Sequence, residues 1–136
     1  MQKIVFDTNV VLDVLLQREP HSGAALEAIR RVEEGVIRGI IAATSLTTLY
    51  YYVRKTLGET DARLDIRDIA RNFIVSQLDQ GLVHAALARD GSDFEDDLII
   101  ETAIREGAAA ILTRDASGFR ASPVPAVSPA EWLAGA

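Results

Sequence analysis

The chain contains no cysteine. Disulfides, thiolate metal sites and thiol nucleophiles are therefore excluded, and a reducing compartment suits it. It also lacks any apolar run approaching the roughly 18 residues that a membrane-spanning helix needs. The opening segment, M-Q-K-I-V-F-D, has no signal-peptide anatomy and runs directly into a strand pattern. These two absences make a cytoplasmic protein without membrane association the expectation. Basic charge is scarce as well: the net charge is −6, and the lysines are Lys3 and Lys55 alone. That balance excludes a protein that coats nucleic acid non-specifically. It does not exclude a nuclease, because metal-binding carboxylates make such a site acidic and a bound ion reverses the local sign.

What is present is a globular composition. With 136 residues, 49% of them hydrophobic and 25% charged, the chain is long enough for one domain with a real core, spanning 1–136. The apolar run Ile4-Val5-Phe6, ending at Asp7, reads as a buried strand. Asn9 to Gln17 reads as a helix that is apolar on nearly all faces, with Asn9, Asp13 and Gln17 on one polar line. Glu19-Pro20 opens a second helical unit, carried by Leu26, Ile29 and Val32 and stopped at Gly35. Ile40 to Ala43 is the second strand, with Thr44 or Ser45 capping the helix that follows and Gly58 ending it. Asp61 to Gln77 reads as a further helix, and Gly81 to Ala85 as a strand. A helix follows the acidic segment to about Glu106-Gly107, then a strand at Ala109 to Thr113. Val124 to Val127 is an edge strand that tolerates its proline, and Ser128 caps a last helical turn anchored by Trp132. Strands alternating with helices predict an α/β layered fold, with a central, mainly parallel sheet of four to five strands flanked by helices.

In such sheets, ligands bind beyond the carboxyl ends of the strands. Asp7 and Asp115 stand at two of those ends. Between them in sequence lies S-D-F-E-D-D, residues 92–97, which sets four carboxylates in five residues at a helix start. Each acid has a local explanation. Ser92 and Glu95 fit a capping box, acids suit a first helical turn, Asp7 can cap its own helix, and Asp115 can be a turn residue. None of these accounts requires Asp96 and Asp97 as well. Hard carboxylate oxygens suit Mg²⁺ or Mn²⁺, and such an ion serves phosphodiester hydrolysis without a covalent nucleophile.

Three segments carry a family resemblance: I-V-F-D-T-N-V-V-L-D at 4–13, D-F-E-D-D-L at 93–98 and I-L-T-R-D-A-S-G-F at 111–119. In this order and spacing the chain resembles PIN-domain ribonucleases of the VapC toxin type. The resemblance implies a three-layer PIN-like fold and cleavage of single-stranded RNA by metal-activated water. It also implies that Asp7, Asp96 and Asp115 hold Mg²⁺ or Mn²⁺, supported by Thr113 and Asn9. Many family members carry a glutamate in the helix after the second strand. Here that stretch is S-L-T-T-L-Y-Y-Y, with Thr48 or Thr47 at the glutamate position. The fourth ligand is then either absent or supplied by Asp93 or Asp97. A toxin role further implies a protein antitoxin over the active-site groove, and a homodimer is compatible with the apolar first helix and with Tyr51 and Tyr52.

Candidate RNA contacts are Arg114, beside Asp115, and the stripe of Arg63, Arg67 and Arg71; a solvated basic face relieved by Asp68 is the alternative for the stripe. His21 and His84 sit in no ligand spacing. Two rivals stand beside the nuclease. A phosphotransfer enzyme would use Asp7 as nucleophile, but it lacks the lysine that such sites place near the end of a later strand. A non-catalytic PIN-like RNA-binding or protein-assembly module would keep the acids without the chemistry.

Overall fold

The computed structural model describes residues 1–91 and 93–135. In it, five strands form one sheet: β1 (Lys3–Phe6), β2 (Arg38–Ala42), β3 (Ile74–Ser76), β4 (Ala110–Leu112) and β5 (Ala126–Val127). Their order is β3-β2-β1-β4-β5, and every pairing is parallel. The helices are α1 (Thr8–Leu15), α2 (Ser22–Glu33), α3 (Ala43–Leu57), α4 (Glu59–Asn72), α5 (Gln80–Arg89), α6 (Phe94–Glu106) and α7 (Pro129–Gly135), with a 3-10 turn at Ala116–Phe119. The sheet is wholly parallel, a stricter arrangement than the mainly parallel one the sequence predicts.

The central strands alternate sides. Ile4 and Phe6 of β1 and Ile41 of β2 join α1 to α4 in one core, while Val5 and Ile40 meet Ile99, Ile100 and Ala103 of α6 in the other. Both faces of the sheet are thus covered, which is why its strands read as continuous apolar runs. Phe6 and Phe73 meet edge to face at 5.1 Å and close the first core. On the far side Leu82 and Ala86 of α5 pack on Leu98 of α6.

Three local expectations change. The helix predicted to run to Gln77 stops at Asn72; Phe73 turns into the core, and Ile74–Ser76 pairs with β2. Periodicity cannot separate a helix end from a short β-branched strand of this length. The segment Gly81 to Ala85 is helical. Asp79 caps it by accepting from the Leu82 amide at 2.9 Å, and Leu82 and Ala86, one turn apart, are its buried face. Thr44 and Ser45 do not cap α3; Ala42 holds that position without a side-chain bond, and Ser45 is buried inside the first turn. At α7 and at the end of α6 the expected boundaries are present. Ser128 and Glu131 form a reciprocal capping box at α7, and Gly107 ends α6 in the left-handed conformation. Trp132 packs on the first core with Arg31 over its ring. Among the described residues, no helix is long and apolar enough to cross a membrane.

Candidate active site

The carboxyl ends of β1 and β4 are adjacent because these strands pair, Phe6 beside Leu112. The residues that follow them, Asp7 and Thr113, therefore meet. Thr113 donates its hydroxyl to Asp7 Oδ2 at 2.8 Å, while Asp7 Oδ1 accepts the Thr8 amide at 2.8 Å as the cap of α1. Both oxygens of this nearly buried carboxylate are thus held in place. Burial raises its proton affinity above the ordinary range, the Thr113 and Thr8 bonds oppose that, and the charges of Glu95 and Asp93 add to it.

Helix α6 brings the next acids. Asp93 caps it, its Oδ1 accepting the Asp96 amide at 3.1 Å. The expected box partner Ser92 lies outside the described residues. Asp96, one turn in, feels burial first and then Asp93, Asp7, Glu95 and Asp115; together they push its pKa up to about 7. Gly118 presses against it: a Cβ there would overlap the Asp96 carboxylate. Asp115 sits in the segment after β4. Its amide is held by Thr113 Oγ1 at 3.2 Å, and its carboxylate accepts from the Ser117 amide and hydroxyl, which hold its pKa below the usual value.

The structure thus brings Asp7, Thr113, Asp93, Asp96 and Asp115 into one electrostatic neighbourhood. Asn9 is exposed in the first turn of α1, two residues after Asp7. Asp97 points elsewhere: it is buried, and its Oδ2 accepts the Gly91 amide at 3.0 Å, closing the connection between α5 and α6. Arg114, expected at a phosphate, instead sets its Nε 2.8 Å from Asp13 Oδ2. Arg71 lines a hollow with Met1 and Arg38 at the amino ends of the strands, opposite Asp7, and Arg67 is exposed one turn earlier on α4. Arg63 pairs with Glu59 at 3.3 Å.

Thr8 and Ser45 were not singled out from the sequence as parts of this cluster. Thr8 donates to Ser45 Oγ at 2.7 Å and reaches Glu95 Oε1 at 3.5 Å. Through Ser45 the first turn of α3 meets the site, and Glu95 adds a carboxylate on the same side. The signal lay in the order of elements: Ser45 is in the first turn of the helix that follows β2, at the same end of the parallel sheet as Asp7 after β1.

The PIN domain family profile matches residues 3–117. The chain belongs to the PIN domain family. Over 123 residues it is 25% identical to Ribonuclease VapC1 of Aquifex aeolicus, covering 87% of this chain and 85% of that protein. Among solved structures, this PIN domain superposes on a toxin-antitoxin complex from Klebsiella pneumoniae with a TM-score of 0.71 at 20% identity, covering 93% and 97% of the two chains. It superposes on VapC20 of Mycobacterium tuberculosis, a Sarcin-Ricin loop cleaving toxin, with a TM-score of 0.69 at 13% identity, covering 87% and 94%. These likenesses establish the PIN fold.

The donors of the PIN site suit a divalent metal ion in kind, being hard carboxylate oxygens. Asp7, Asp93, Glu95 and Asp96 form no ion pair among the described residues, so no side-chain cation neutralises the cluster there. Among the described residues, no three acid, histidine or cysteine side chains are gathered closely enough to enclose an ion. An ion that keeps most of its waters, as Mg²⁺ does, needs only one or two direct carboxylates.

Proposed function

We propose that this PIN domain is a Mg²⁺- or Mn²⁺-dependent endoribonuclease that hydrolyses single-stranded RNA. The observation that carries the reading is the gathering of Asp7, Asp93, Glu95 and Asp96 beyond the carboxyl ends of β1 and β4 with no paired base among the described residues; burial first, and then Asp93, Asp7, Glu95 and Asp115, push the Asp96 pKa up to about 7. A divalent cation is what such a field attracts. Asp7, Asp96 and Asp115 would hold it, with Asp93 adjacent. When bound, the ion supplies a Lewis acid for a phosphate oxygen and a nucleophilic water near neutral pH. The protein supplies direction. Thr113 and the Thr8 amide fix Asp7 in one rotamer, Ser117 fixes Asp115, and Asn9, two residues after Asp7, offers an exposed amide for the RNA backbone. Arg120, whose charge bears on Asp115, is placed to meet a phosphate. Arg67 and Arg71 serve only an RNA long enough to pass around the sheet.

The relatives support a further step: the chain acts as the toxin of a toxin–antitoxin pair. A cytoplasmic location is part of the same proposal. An apolar groove between α1, α2 and α4, rimmed by Glu33, Asp65 and Asp68, suits a basic amphipathic antitoxin segment. The exposed Tyr51, Tyr52, Leu57 and Leu64 on α3 and α4 suit a second copy of the chain.

One observation favours a non-catalytic RNA-binding or assembly module instead: the acids do not enclose an ion by themselves. A labelled single-stranded RNA library, incubated with Mg²⁺, Mn²⁺ or EDTA and with the Asp7→Asn variant alongside, decides. Metal-dependent cutting that is lost in Asp7→Asn supports the ribonuclease. A folded wild-type protein that cuts nothing in either metal overturns it in favour of the module.

A further inference from the structure

Asp13 and Arg114 have no part in the chemistry described so far. Asp13 is completely buried in the second half of α1, and neither of its carboxylate oxygens receives a well-aligned hydrogen bond. What faces it is charge: Arg114 Nε at 2.8 Å and, farther off, Arg18 Nη1 at 3.8 Å. Burying an ion pair of this kind seldom stabilises a fold more than apolar packing would. The helix around it, Val10, Val11 and Leu12, is otherwise core, so stability alone gives no reason for an acid here.

Its position gives one. Asp7 stands at the amino end of α1 and Asp13 lies six residues along. The segment leaving β4 is tied to both. Thr113 bonds Asp7, and the next residue, Arg114, pairs with Asp13. The residue after that is Asp115, whose amide returns to Thr113 Oγ1. A single tether at Thr113 would let this segment pivot about the Asp7 contact. Two tethers at consecutive residues, to two points on one rigid helix, fix its direction along α1.

We propose that Asp13 is a positioning residue which, through Arg114, aims the Asp115 carboxylate toward Asp7 and Asp96. The inference deepens the ribonuclease reading and rests on it. It assigns Arg114 to the protein rather than to RNA, and makes one buried acid set the geometry of another.

The test uses Asp13→Asn, Arg114→Gln, Arg114→Lys and the Asp13→Asn/Arg114→Gln double variant. Urea unfolding, Mn²⁺ titration calorimetry and single-turnover cleavage of the RNA cut by wild type are measured on each. Each of Asp13→Asn and Arg114→Gln is expected to lower the rate at saturation by about tenfold or more, with KM within about twofold, as misaimed groups do. Each also weakens Mn²⁺ binding several-fold. The double variant is no worse than the worse single one, because the two residues act as a unit, and Arg114→Lys recovers part of the loss. If the folded variants keep wild-type rate and Mn²⁺ affinity while losing only stability, the pair is structural and the proposal fails. If Arg114→Gln raises KM alone and Asp13→Asn does nothing, Arg114 touches RNA and the proposal fails. Should Asp13→Asn not fold, Arg114→Gln, whose side chain is already partly exposed, carries the same measurements. A wild type that cuts no RNA overturns the ribonuclease reading, and the Mn²⁺ titrations then still decide the positioning claim.

Discussion

Thr113 and Asp7 are 106 residues apart in sequence and joined by a 2.8 Å hydrogen bond in which the threonine hydroxyl donates to Oδ2. Because β1 and β4 are adjacent and parallel, residues one step beyond each strand come together. The bond sets Asp7's rotamer and links the first loop of the fold to the segment leaving β4. Thr113→Val keeps the shape and removes the donor, leaving a buried carboxylate oxygen unpartnered. It is expected to cost about 1–3 kcal/mol in urea unfolding and to cut cleavage far more than Thr113→Ser, which restores the hydroxyl. Equal activity in the valine and serine variants would show that the bond does not orient Asp7.

Asp96 makes stability depend on pH. Its folded-state pKa is about 7, raised by burial and then by Asp93, Asp7, Glu95 and Asp115, and Asp7 is shifted in the same direction. The folded chain therefore holds protons that the unfolded chain has released. That stabilisation is complete below the ordinary carboxylate range and is lost as pH rises through about 7. Without metal, the melting temperature is expected to fall between about pH 5 and about pH 8. The rise produced by Mg²⁺, which competes with the protons, is expected to be larger at about pH 8 than at about pH 6. Asp96→Asn should flatten both trends, and a wild-type protein already flat in both would contradict this account.

Glu95 lies 3.5 Å from the Thr8 hydroxyl and raises the proton affinity of both Asp7 and Asp96. Glu95→Gln removes one charge from the cluster with little change of shape. The Asp96 transition is then expected to move to lower pH, and Mg²⁺ binding to weaken, on the order of a few-fold. Calorimetry with Mg²⁺ at two pH values checks both. Unchanged affinity would place Glu95 outside the metal's field.

Gly118 lies close against Asp96: a Cβ there would overlap the carboxylate, which must then shift. Gly118→Ala is expected to push Asp96 aside and weaken Mn²⁺ binding by on the order of tenfold. Gly39→Ala offers the contrast. A Cβ there would lie 2.6 Å from the Phe73 ring and 2.8 Å from Val32, inside the core. It is expected to cost about 1–3 kcal/mol of stability, while cleavage per folded molecule is unchanged. If the two variants gave the same profile, Gly118 would be a packing glycine only.

The alternation of β-runs and helices was legible in the residues because a sheet covered on both faces writes itself as unbroken apolar strands, as in Ile4-Val5-Phe6 and Ala110-Ile111-Leu112. At α7 the capping chemistry was legible for the same kind of reason: Ser128 with Glu131 satisfies amides within one turn, whereas α3 lacks the side-chain cap expected of Thr44 or Ser45 and Asp93 caps α6. The positions of Asp7 and Asp115 at strand ends followed from these patterns. Short elements at the sheet's edge and flank did not. Ile74–Ser76 is a strand because β2 offers it a partner, and Gln80–Arg89 is a helix because Asp79 caps it and α6 accepts Leu82 and Ala86. Periodicity over a few residues carries neither fact.

Side-chain partnership was decided only by tertiary structure. Nothing local distinguishes Asp97, which turns inward to the Gly91 amide, from Asp96 beside it, which feels Asp7 and Asp115. Nothing near Arg114 reveals that its partner is Asp13, a hundred residues earlier. The chain by itself determined which carboxylates stand at the ends of strands and helices, because hydrogen bonding and burial within a segment are local. Which of them face each other depends on strand order, and strand order is set by contacts between segments far apart in the chain.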